Sequence, residues 1–240
     1  MKKQKQHALN ADTNSKPVLR LDWCTHEAAK YACEKWHYSG KIHSGKMIRV
    51  GVWENTVFIG AVVFASGACS SLGMAYDLSQ YQCCELIRVA LSKHKTPVSR
   101  VLSIAIKFVK QRTPNLKLIV SFADQSQGHH GGIYQANGWV FTGETSRSTE
   151  YWFEGKWRHA KSFSNEWGGL SRIDTRSLKS RKALPKYRYL YPLDSAMRAQ
   201  IEPLRKPYPK RVRGVDSDTS ANHAEEGGAN PTRTLFSPEG

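Results

Sequence analysis

The sequence predicts a mixed α/β domain in which several helices pack against one sheet. Three observations predict it. A hairpin pattern covers 47–64, where two apolar stretches flank a short polar turn. A strand–helix–strand pattern covers 84–122, and its second strand is apolar along most of its length, as in strands buried on both faces. Apolar residues also recur at helical spacing ahead of the hairpin and inside the second pattern.

The N-terminal half contains the first helix and the hairpin. A helix is expected to begin near Thr25, because small and aromatic residues follow it at three- and four-residue spacing. The stretches 47–53 and 57–64 are expected to pair as antiparallel strands around the turn between them. Gly60 is expected to mark a bulge in the second strand, because glycine inside a strand weakens regular pairing.

The remaining elements follow in order along the chain. Thr96 and Pro97 are typical of an N-cap and a first helical position, so a second helix is expected there. The other expected elements are a strand at 84–91, a strand at 116–122, a short helix at 133–136, and strands at 139–143 and 150–153.

Charge and composition limit the functional classes. Lys and Arg number 36 against 20 Asp and Glu, a formal net charge of +16, and 40% of residues are hydrophobic. This surplus favours a polyanionic partner, first nucleic acid and second an anionic membrane surface. No apolar run reaches the roughly 18 residues of a membrane-spanning helix. Five cysteines without a CxxC pair are typical of reduced thiols in a cytosol-like compartment.

The charge is distributed in blocks that predict four segments. Residues 1–17 are expected to form a basic flexible arm, and 18–165 the compact core. Residues 166–213 are expected to form a basic extension, because 171–213 alone carries a net charge of +10. Residues 214–240 carry a net charge of −4 and are expected to form a disordered acidic tail.

The basic extension is expected to contact nucleic acid. Its cations alternate with tyrosines, and cations interleaved with aromatic rings suit phosphates and unstacked bases. The alternative interpretation is a solvated charged surface. The predicted DNA-binding residues are Arg172, Arg176, Lys179, Arg181, Lys182, Lys186 and Arg188.

The start of the second helix is a first candidate site. A helix N-terminus presents unpaired amides and a positive dipole end, which suit a phosphate or diphosphate when cations flank it. Arg88, in the preceding strand, either pairs with Glu85 or holds a carboxylate or phosphate. The alternative is a solvated basic turn before an ordinary surface helix. The predicted cofactor-binding residues are Arg88, Lys93, Lys95, Ser99 and Arg100.

A second candidate site is the carboxyl end of the buried strand at 116–122. Ser121 and Asp124 stand there, ahead of the glycine-rich loop QGHHGG. Side chains at this end of a strand face the usual ligand crevice of an open α/β sheet. Asp124 could act as a general base or hold an amino group, and His129 or His130 could act as an acid, a base or a metal ligand. In the alternative, Asp124 is a capping or turn residue and the histidines are loop surface.

A third candidate is the exit of the first helix, at His37 and Tyr38. Such groups can stack on a base or titrate, although a helix C-terminus also simply favours histidine. The chain lacks the Cys/His spacing of a structural zinc module. A spatial cluster that includes His43, His129 and His130 could instead hold iron or zinc.

The strand–helix–strand core followed by GIYQANGW at 132–139 resembles the Gcn5-related N-acetyltransferase superfamily. In that superfamily a similar segment follows a splayed fifth strand, and its tyrosine often serves as general acid to the departing thiolate. The resemblance implies a single acetyltransferase-like domain, here with a basic C-terminal extension, in which Tyr134 has that role. The superfamily's glycine-containing loop for the coenzyme A diphosphate reads KHKTPVSR at 93–100 here, without glycine and with Pro97 removing an amide donor.

Four longer motifs resemble the Mom family of bacteriophage DNA-modification proteins. They are HYSG at 37–40, GVWENTVFIGAVVF at 51–64, ELIRVAL at 85–91 and SFADQSQGHHGGIYQANGW at 121–139. The resemblance implies a phage late protein that acts on double-stranded DNA in the host cytoplasm. Its implied product is N6-(carbamoylmethyl)adenine, which shields phage DNA from host restriction endonucleases. The resemblance also implies links with acetyl-coenzyme A and with bound iron.

This chemistry assigns expected roles to the candidate residues. Asp124 is the preferred base or acceptor for adenine N6, and Tyr134 is expected to protonate a leaving group. The base is expected to be flipped out of the duplex into the pocket. The predicted catalytic residues are Asp124, Tyr134, His37, Tyr38 and Ser121.

The group donor and the functional class stay open at this stage. Acetyl transfer would give an N6-acetyl group, whereas the implied product is joined through a methylene, so the donor is different (for example a glycine-derived unit) or a rearrangement follows. The rival functions are a non-catalytic nucleic-acid-binding protein and an acyl-CoA-dependent acetyltransferase on RNA or protein. An adenine methyltransferase is excluded by the missing Asp/Asn-Pro-Pro-Tyr/Trp motif. The sequence does not decide between a monomer and a homodimer.

Overall fold

The computed structural model describes residues 16–66, 71–160, 162, 163, 168 and 173–210. The predicted N-terminal arm up to residue 15 and the acidic tail lie outside this part of the chain, as does Arg172. The helices are α1 (His26–Trp36), α2 (Val98–Arg112), α3 (Gly132–Gln135) and α4 (Ser195–Ile201). The strands are β1 (Leu19–Trp23), β2 (Met47–Glu54), β3 (Val57–Ala65), β4 (Cys83–Leu91), β5 (Leu118–Asp124), β6 (Val140–Glu144), β7 (Thr149–Phe153), β8 (Lys156–His159), β9 (Ser180–Lys182) and β10 (Lys186–Pro192).

Most strands belong to one mixed sheet of seven strands in the order β1-β2-β3-β4-β5-β10-β6. Its neighbours are antiparallel except β4 and β5, which run parallel and are joined by α2. Strands β8, β7 and β9 form a smaller antiparallel sheet. The predicted mixed α/β class is therefore confirmed.

The parallel pair β4 and β5 separates halfway along its length. Its register begins at Cys83 opposite Leu118 and ends at Leu86 opposite Ser121. Beyond that point β4 continues against β3, and β5 continues against β10. The two strands thus open a gap at their carboxyl ends, which is the splay that the resemblance to the acetyltransferase superfamily implied.

The two faces of the sheet are covered by different helices. Along β3, Val62 and Phe64 pack in the same buried cluster as the apolar side of α2. The alternate residues Ala61 and Val63 pack with Ala29 and the other small residues of α1. Helix α4 covers the same face as α1, farther along the sheet, over β5 and β10. The alternation of large and small residues along one strand therefore fixes which helix packs where.

The predicted hairpin and first helix are confirmed in detail. Thr25 caps α1 by accepting a hydrogen bond from the Ala28 amide. Asn55 and Thr56 form the hairpin turn, both with positive φ. Gly60 has φ +145°, the β2–β3 register shifts beside it, and a Cβ added there would lie 2.0 Å from the Ala90 carbonyl oxygen. Glycine is needed at this bulge because any side chain would strike the neighbouring strand.

Two sequence expectations are corrected. The compact core does not end at residue 165, because β10 is inserted between β5 and β6, with Tyr189 and Leu190 fully buried. Because cations alternate with these apolar residues, the sequence was interpreted as a basic extension and β10 was not predicted as a core strand. Thr96 is not the cap of α2: the helix starts at Val98, and Pro97 stands at the cap position without a side-chain hydrogen bond. Among the described helices, none has both the length and the apolar character needed to span a membrane.

Candidate functional site: a cleft between two parted strands

A cleft of about 1080 Å³ lies where β4 and β5 part. It passes through the sheet, because its lining comes from the end of α1 on one face and from the start of α2 on the other. The size suits a drug-sized or nucleoside-sized ligand. The predicted site residues that line it are His37, Tyr38, Arg88, Lys95, Ser99, His129, His130 and Tyr134.

His37 lies on the α1 side of the cleft in a defined protonation state. Its Nδ1 accepts a hydrogen bond from the Ser39 backbone amide at 3.1 Å. An amide N–H can only donate, so the proton of the neutral ring resides on Nε2. Burial, and after it the positive charge of Arg88, lower the pKa of His37 to about 4. At neutral pH this ring therefore presents Nε2–H as a donor.

Tyr38 packs between two imidazole rings at the opening of the cleft on this side, tilted against His37 and edge-on to His129. Its ring centroid lies 4.3 Å from that of His37 and 5.4 Å from that of His129. Tyr38 is 56% exposed, so part of its side chain is accessible to a ligand. Arg88 is held nearby by hydrogen bonds from its guanidinium to the Lys41 and Ile87 carbonyl oxygens.

Asp124 lies at the end of β5, beside the cleft. One carboxylate oxygen binds Lys186 Nζ at 2.8 Å, and the other accepts hydrogen bonds from the backbone amide and the hydroxyl of Ser126. Partial burial raises the pKa of Asp124, but these hydrogen bonds from Lys186 and Ser126 outweigh it and hold the pKa below its ordinary value. Asp124 is thus a capping residue, as the alternative interpretation had it, and also an ionised acceptor that is a weak base. Alternation along β5 places it on the α1 face.

Tyr134 and Ser121 form a buried pair on the α2 side, where the strands begin to part. Ser121 Oγ lies 2.9 Å from the Leu86 carbonyl oxygen and 2.8 Å from the Tyr134 hydroxyl. A carbonyl can only accept, so Ser121 donates to Leu86 and accepts from Tyr134. Burial raises the pKa of Tyr134 to about 12, so its hydroxyl carries a proton. Both residues were predicted for the site: Tyr134 lines the cleft, whereas Ser121 lies outside its lining and is bonded to Tyr134.

The loop before α2 differs from the expected phosphate cradle. Lys95 and Ser99 line the cleft, whereas Lys93 and Arg100 are exposed outside its lining. The carboxylate of Glu54, at the end of β2, accepts hydrogen bonds from the amides of Lys95 and Thr96 at 3.0 and 2.8 Å. Two amides beside this helix start are therefore already bound by a carboxylate, and Pro97 has none, so the loop does not fit the expected diphosphate cradle.

The histidines predicted as metal ligands do not form a metal centre. His129 and His130 line the cleft, and His43 does not. In the part of the chain that the structure describes, no three or more His, Cys, Asp or Glu side chains are grouped so as to hold a metal ion. The described residues thus do not fit the iron that the resemblance implied.

The predicted DNA-binding residues divide between the two sheets. Lys186 and Arg188 belong to β10, where Lys186 pairs with Asp124 and Arg188 donates to the Thr142 hydroxyl. The exposed cations Arg176, Lys179, Arg181 and Lys182 lie on or beside the small sheet. Arg181 stacks over the Trp157 ring at 4.4 Å and pairs with Glu150. The two strands of the main sheet that lead to the small sheet, β10 and β6, both have these ends near Asp124, since Lys186 registers with Asp124 and Glu144 registers with Tyr187.

Sequence reasoning missed Glu54 and β10. Glu54 had been placed in the hairpin turn, and its partners stand 41 and 42 residues away along the chain, so no local pattern signals the contact. Tyr187 of β10 lines the cleft. Tyr189 of the same strand donates a hydrogen bond from its hydroxyl to the His130 carbonyl oxygen. The alternation KYRYLY was the available signal for this strand.

The parted parallel strands, the helix that joins them and the tyrosine of α3 agree with the acetyltransferase-like fold that the sequence resemblance implied. The chain belongs to the Mom protein family, whose model matches residues 18–210. Methylcarbamoylase mom of Escherichia phage Mu is 26% identical over 203 residues, which cover 80% of this chain and 84% of that protein.

Three solved structures are similar at a lower level. A putative acetyltransferase from Acinetobacter baylyi is 14% identical with a TM-score of 0.42, over 81% of this chain and 99% of that one. The N-acyl amino acid synthase FeeM from uncultured soil microbes is 10% identical with a TM-score of 0.45, over 77% and 94%. Spermidine/spermine N-acetyltransferase SpeG from Vibrio cholerae is 12% identical with a TM-score of 0.41, over 75% and 96%.

Proposed function

We propose that this protein is a DNA-modification transferase that converts adenine in double-stranded DNA to N6-(carbamoylmethyl)adenine and so protects phage DNA from host restriction endonucleases. Two things support it together: the chain belongs to the Mom family, and its cleft passes through the sheet between hydrogen-bonding groups on one face and a tyrosine acid on the other. The relative in phage Mu bears the name methylcarbamoylase.

The target adenine enters from the α1 side in this proposal. In a duplex the amino group is stacked and paired, so the base must be flipped out to reach a pocket. The exposed Tyr38 ring offers a surface on which the flipped base stacks. The neutral His37 donates its Nε2–H to a ring nitrogen or to the transferred carbonyl group.

Asp124 orients the amine. The N6 lone pair is delocalised into the ring, so the enzyme gains most by positioning it. A carboxylate has about four lone-pair sites, and three are used by Lys186 and Ser126, which leaves one for an N6–H donor. Because hydrogen bonds keep its pKa low, Asp124 acts mainly as an acceptor that holds the amine, and it takes the proton only once the attacking nitrogen has become positive.

Tyr134 protonates the leaving group on the α2 side. The N6–C bond forms as the bond between the methylene carbon and the leaving group breaks, and the departing atom takes the tyrosine proton. Ser121 then turns its hydroxyl from the Leu86 carbonyl oxygen to the phenolate that remains, at the 2.8 Å separation already present. The buried pair therefore supplies an acid and a stabiliser for its anion.

The duplex lies along the small sheet in this proposal. Lys179, Lys182 and Arg176 supply exposed charges for phosphates, and the small sheet joins the main sheet at the Asp124 end of β5. A duplex on that surface would place one flipped base at the Tyr38 mouth.

Nucleoside mass spectrometry of DNA from bacteria that express the chain tests this function. The expected adduct is N6-(carbamoylmethyl)adenine, and Asp124→Ala should lower its amount at least about tenfold through loss of positioning. Asp22→Ala is the matched control, because Asp22 is an exposed carboxylate paired with Arg20. An unchanged adduct in Asp124→Ala would remove Asp124 from the site. No adduct from the unaltered chain would contradict the enzyme function and favour a binding protein.

A further inference from the structure

Glu54 is a buried carboxylate whose hydrogen bonds all end on the loop before α2. The residue is 9% exposed at the last position of β2. Its Oε1 accepts from the Thr96 amide at 2.8 Å and from the Thr96 hydroxyl at 2.6 Å, and its Oε2 accepts from the Lys95 amide at 3.0 Å. A carboxylate that accepts such bonds at both oxygens is stabilised in its ionised form. Glu54 therefore places a fixed negative charge against this loop.

The loop before α2 has few free backbone amides with which to bind a diphosphate. Phosphate groups bind at helix starts through several convergent backbone amides. Here the amides of Lys95 and Thr96 are bound by Glu54, and Pro97 has none. The Arg100 amide is bonded to the Pro97 carbonyl oxygen. Only the amides of Val98 and Ser99 remain between residue 95 and the first full turn.

The charge of Glu54 opposes the same ligand. A diphosphate brings at least two negative charges, and the carboxylate that would have to leave or share the amides is itself negative. Like charges at hydrogen-bonding separation in a partly buried site repel strongly. Lys95 lines the cleft beside this loop and offsets part of the charge, whereas the other Lys and Arg residues of the lining, Arg88 and Lys210, come from β4 and from the end of the described chain.

We propose that the Glu54 carboxylate occupies the place of a cofactor diphosphate, so that the group donor is a small molecule without a diphosphate arm rather than an acyl-coenzyme A. That a group donor reacts in this cleft rests on the proposed function. That the loop before α2 does not bind a diphosphate rests on the contacts of Glu54 alone. A donor of this kind also agrees with the expected product. An N6-carbamoylmethyl group is joined to adenine through a methylene, whereas a thioester donor delivers a carbonyl carbon.

Calorimetric titration of the purified full chain with acetyl-coenzyme A tests the proposal, with ATP as a polyanion of comparable charge. A chain of net charge +16 attracts any polyanion, so the two ligands must be compared at low and at high salt. The expected result is equal, weak binding of both ligands that disappears in about 0.5 M salt, where screening is strong. Salt-resistant binding of acetyl-coenzyme A at least about tenfold tighter than that of ATP would overturn the proposal.

A charge-matched pair of variants tests Glu54 directly. Glu54→Gln keeps the shape of the side chain but removes the charge and one acceptor, so acetyl-coenzyme A should bind at least about tenfold more tightly than to the unaltered chain. Glu34→Gln makes the same change in net charge on the exposed side of α1 and should leave binding unchanged. A folded Glu54→Gln chain with unchanged affinity would overturn the role of Glu54. If this variant does not fold, the titration of the unaltered chain still decides.

The DNA adduct is measured separately from cofactor binding. An unaltered chain that forms the adduct in cells but binds acetyl-coenzyme A no better than ATP supports both proposals. A chain without any adduct refutes the proposed function and leaves the binding result standing.

Discussion

The two sides of the cleft differ in chemistry although one pair of strands separates them. The α1 side is lined by the neutral imidazole of His37 and the phenol of Tyr38, and the ionised carboxylate of Asp124 lies beside this lining, paired with Lys186. The α2 side carries a buried Tyr134–Ser121 pair and a loop whose amides bind Glu54. One side is rich in groups that can orient a polar acceptor, and the other has one acid and no diphosphate cradle.

In the proposed function the acceptor binds on the α1 side and the donor on the α2 side, so different groups determine how each reactant is bound. Beyond Leu86 and Ser121, β4 stays paired with β3 and β5 stays paired with β10, so the gap between them opens while each strand keeps its outer partner. That geometry does not depend on the loop before α2. The Glu54 carboxylate can therefore bind the amides of this loop while the gap between β4 and β5 stays open. The sheet thus fixes where two reactants meet, and local side chains fix which reactants they are.

The largest expected effect tests the α2 side through its acid. Tyr134→Phe keeps the ring that packs on Trp139 and removes only the hydroxyl, so adduct formation should fall about 100- to 1000-fold. Nucleoside mass spectrometry over a time course measures the rate. Tyr191→Phe, which changes another tyrosine packed on Trp139, should have no such effect. A Tyr134→Phe chain with a normal rate would leave this side without a catalytic role.

The sequence predicted the parts of the fold that depend on neighbours in the chain. Thr25 as a cap, the turn at Asn55 and the bulge at Gly60 all follow from local backbone demands. It missed β10, because cations alternate with its apolar residues and its partners β5 and β6 are distant in sequence.

For the site as well, the sequence predicted residues but not the contacts between residues that are distant in the chain. Ser121 and Tyr134 were both expected there, but the 2.8 Å contact between them requires the folded sheet. Asp124 had two interpretations, and only the positions of Ser126 and Lys186 show that it is a cap and an ion-pair partner. No local sequence pattern identified Glu54, because the loop whose amides it binds lies more than 40 residues later in the chain.

The next largest effect tests the glycine-rich loop that joins the two sides. Gly131 has φ +84°, and a Cβ there would lie 2.3 Å from the Tyr189 ring, so Gly131→Ala should destabilise the protein by about 3 kcal/mol. Gly138 has φ +69° but open space around it, so Gly138→Ala should cost only about 1 kcal/mol. Urea unfolding measures both. Equal losses would mean that backbone strain alone, and not the Tyr189 contact, decides the glycine at 131.

A smaller effect tests the protonation state on the α1 side. The pKa of His37 is about 4 in the fold and about 6.5 in an unfolded chain, so protons bind preferentially to the unfolded state as the pH falls through this window. Stability is therefore full above pH 6.5 and should fall by about 1–2 kcal/mol between pH 7 and pH 5 on account of this residue. Urea unfolding at both pH values should show a smaller fall in His37→Gln, and no such difference in the exposed control His26→Gln. An equal fall in all three proteins would contradict a neutral His37.

The smallest effect tests whether DNA lies on the small-sheet side of the cleft. One exposed lysine contributes about one counterion to phosphate binding, so Lys179→Ala should weaken duplex affinity about two- to fivefold and lower the salt slope by about one. Lys107 is equally exposed but lies on α2, on the other face, so Lys107→Ala should change neither quantity. Fluorescence anisotropy with a short labelled duplex at several salt concentrations measures both. Equal losses in the two variants would mean that the duplex is attracted by net charge alone, and the acceptor side of the cleft would then lose its link to DNA.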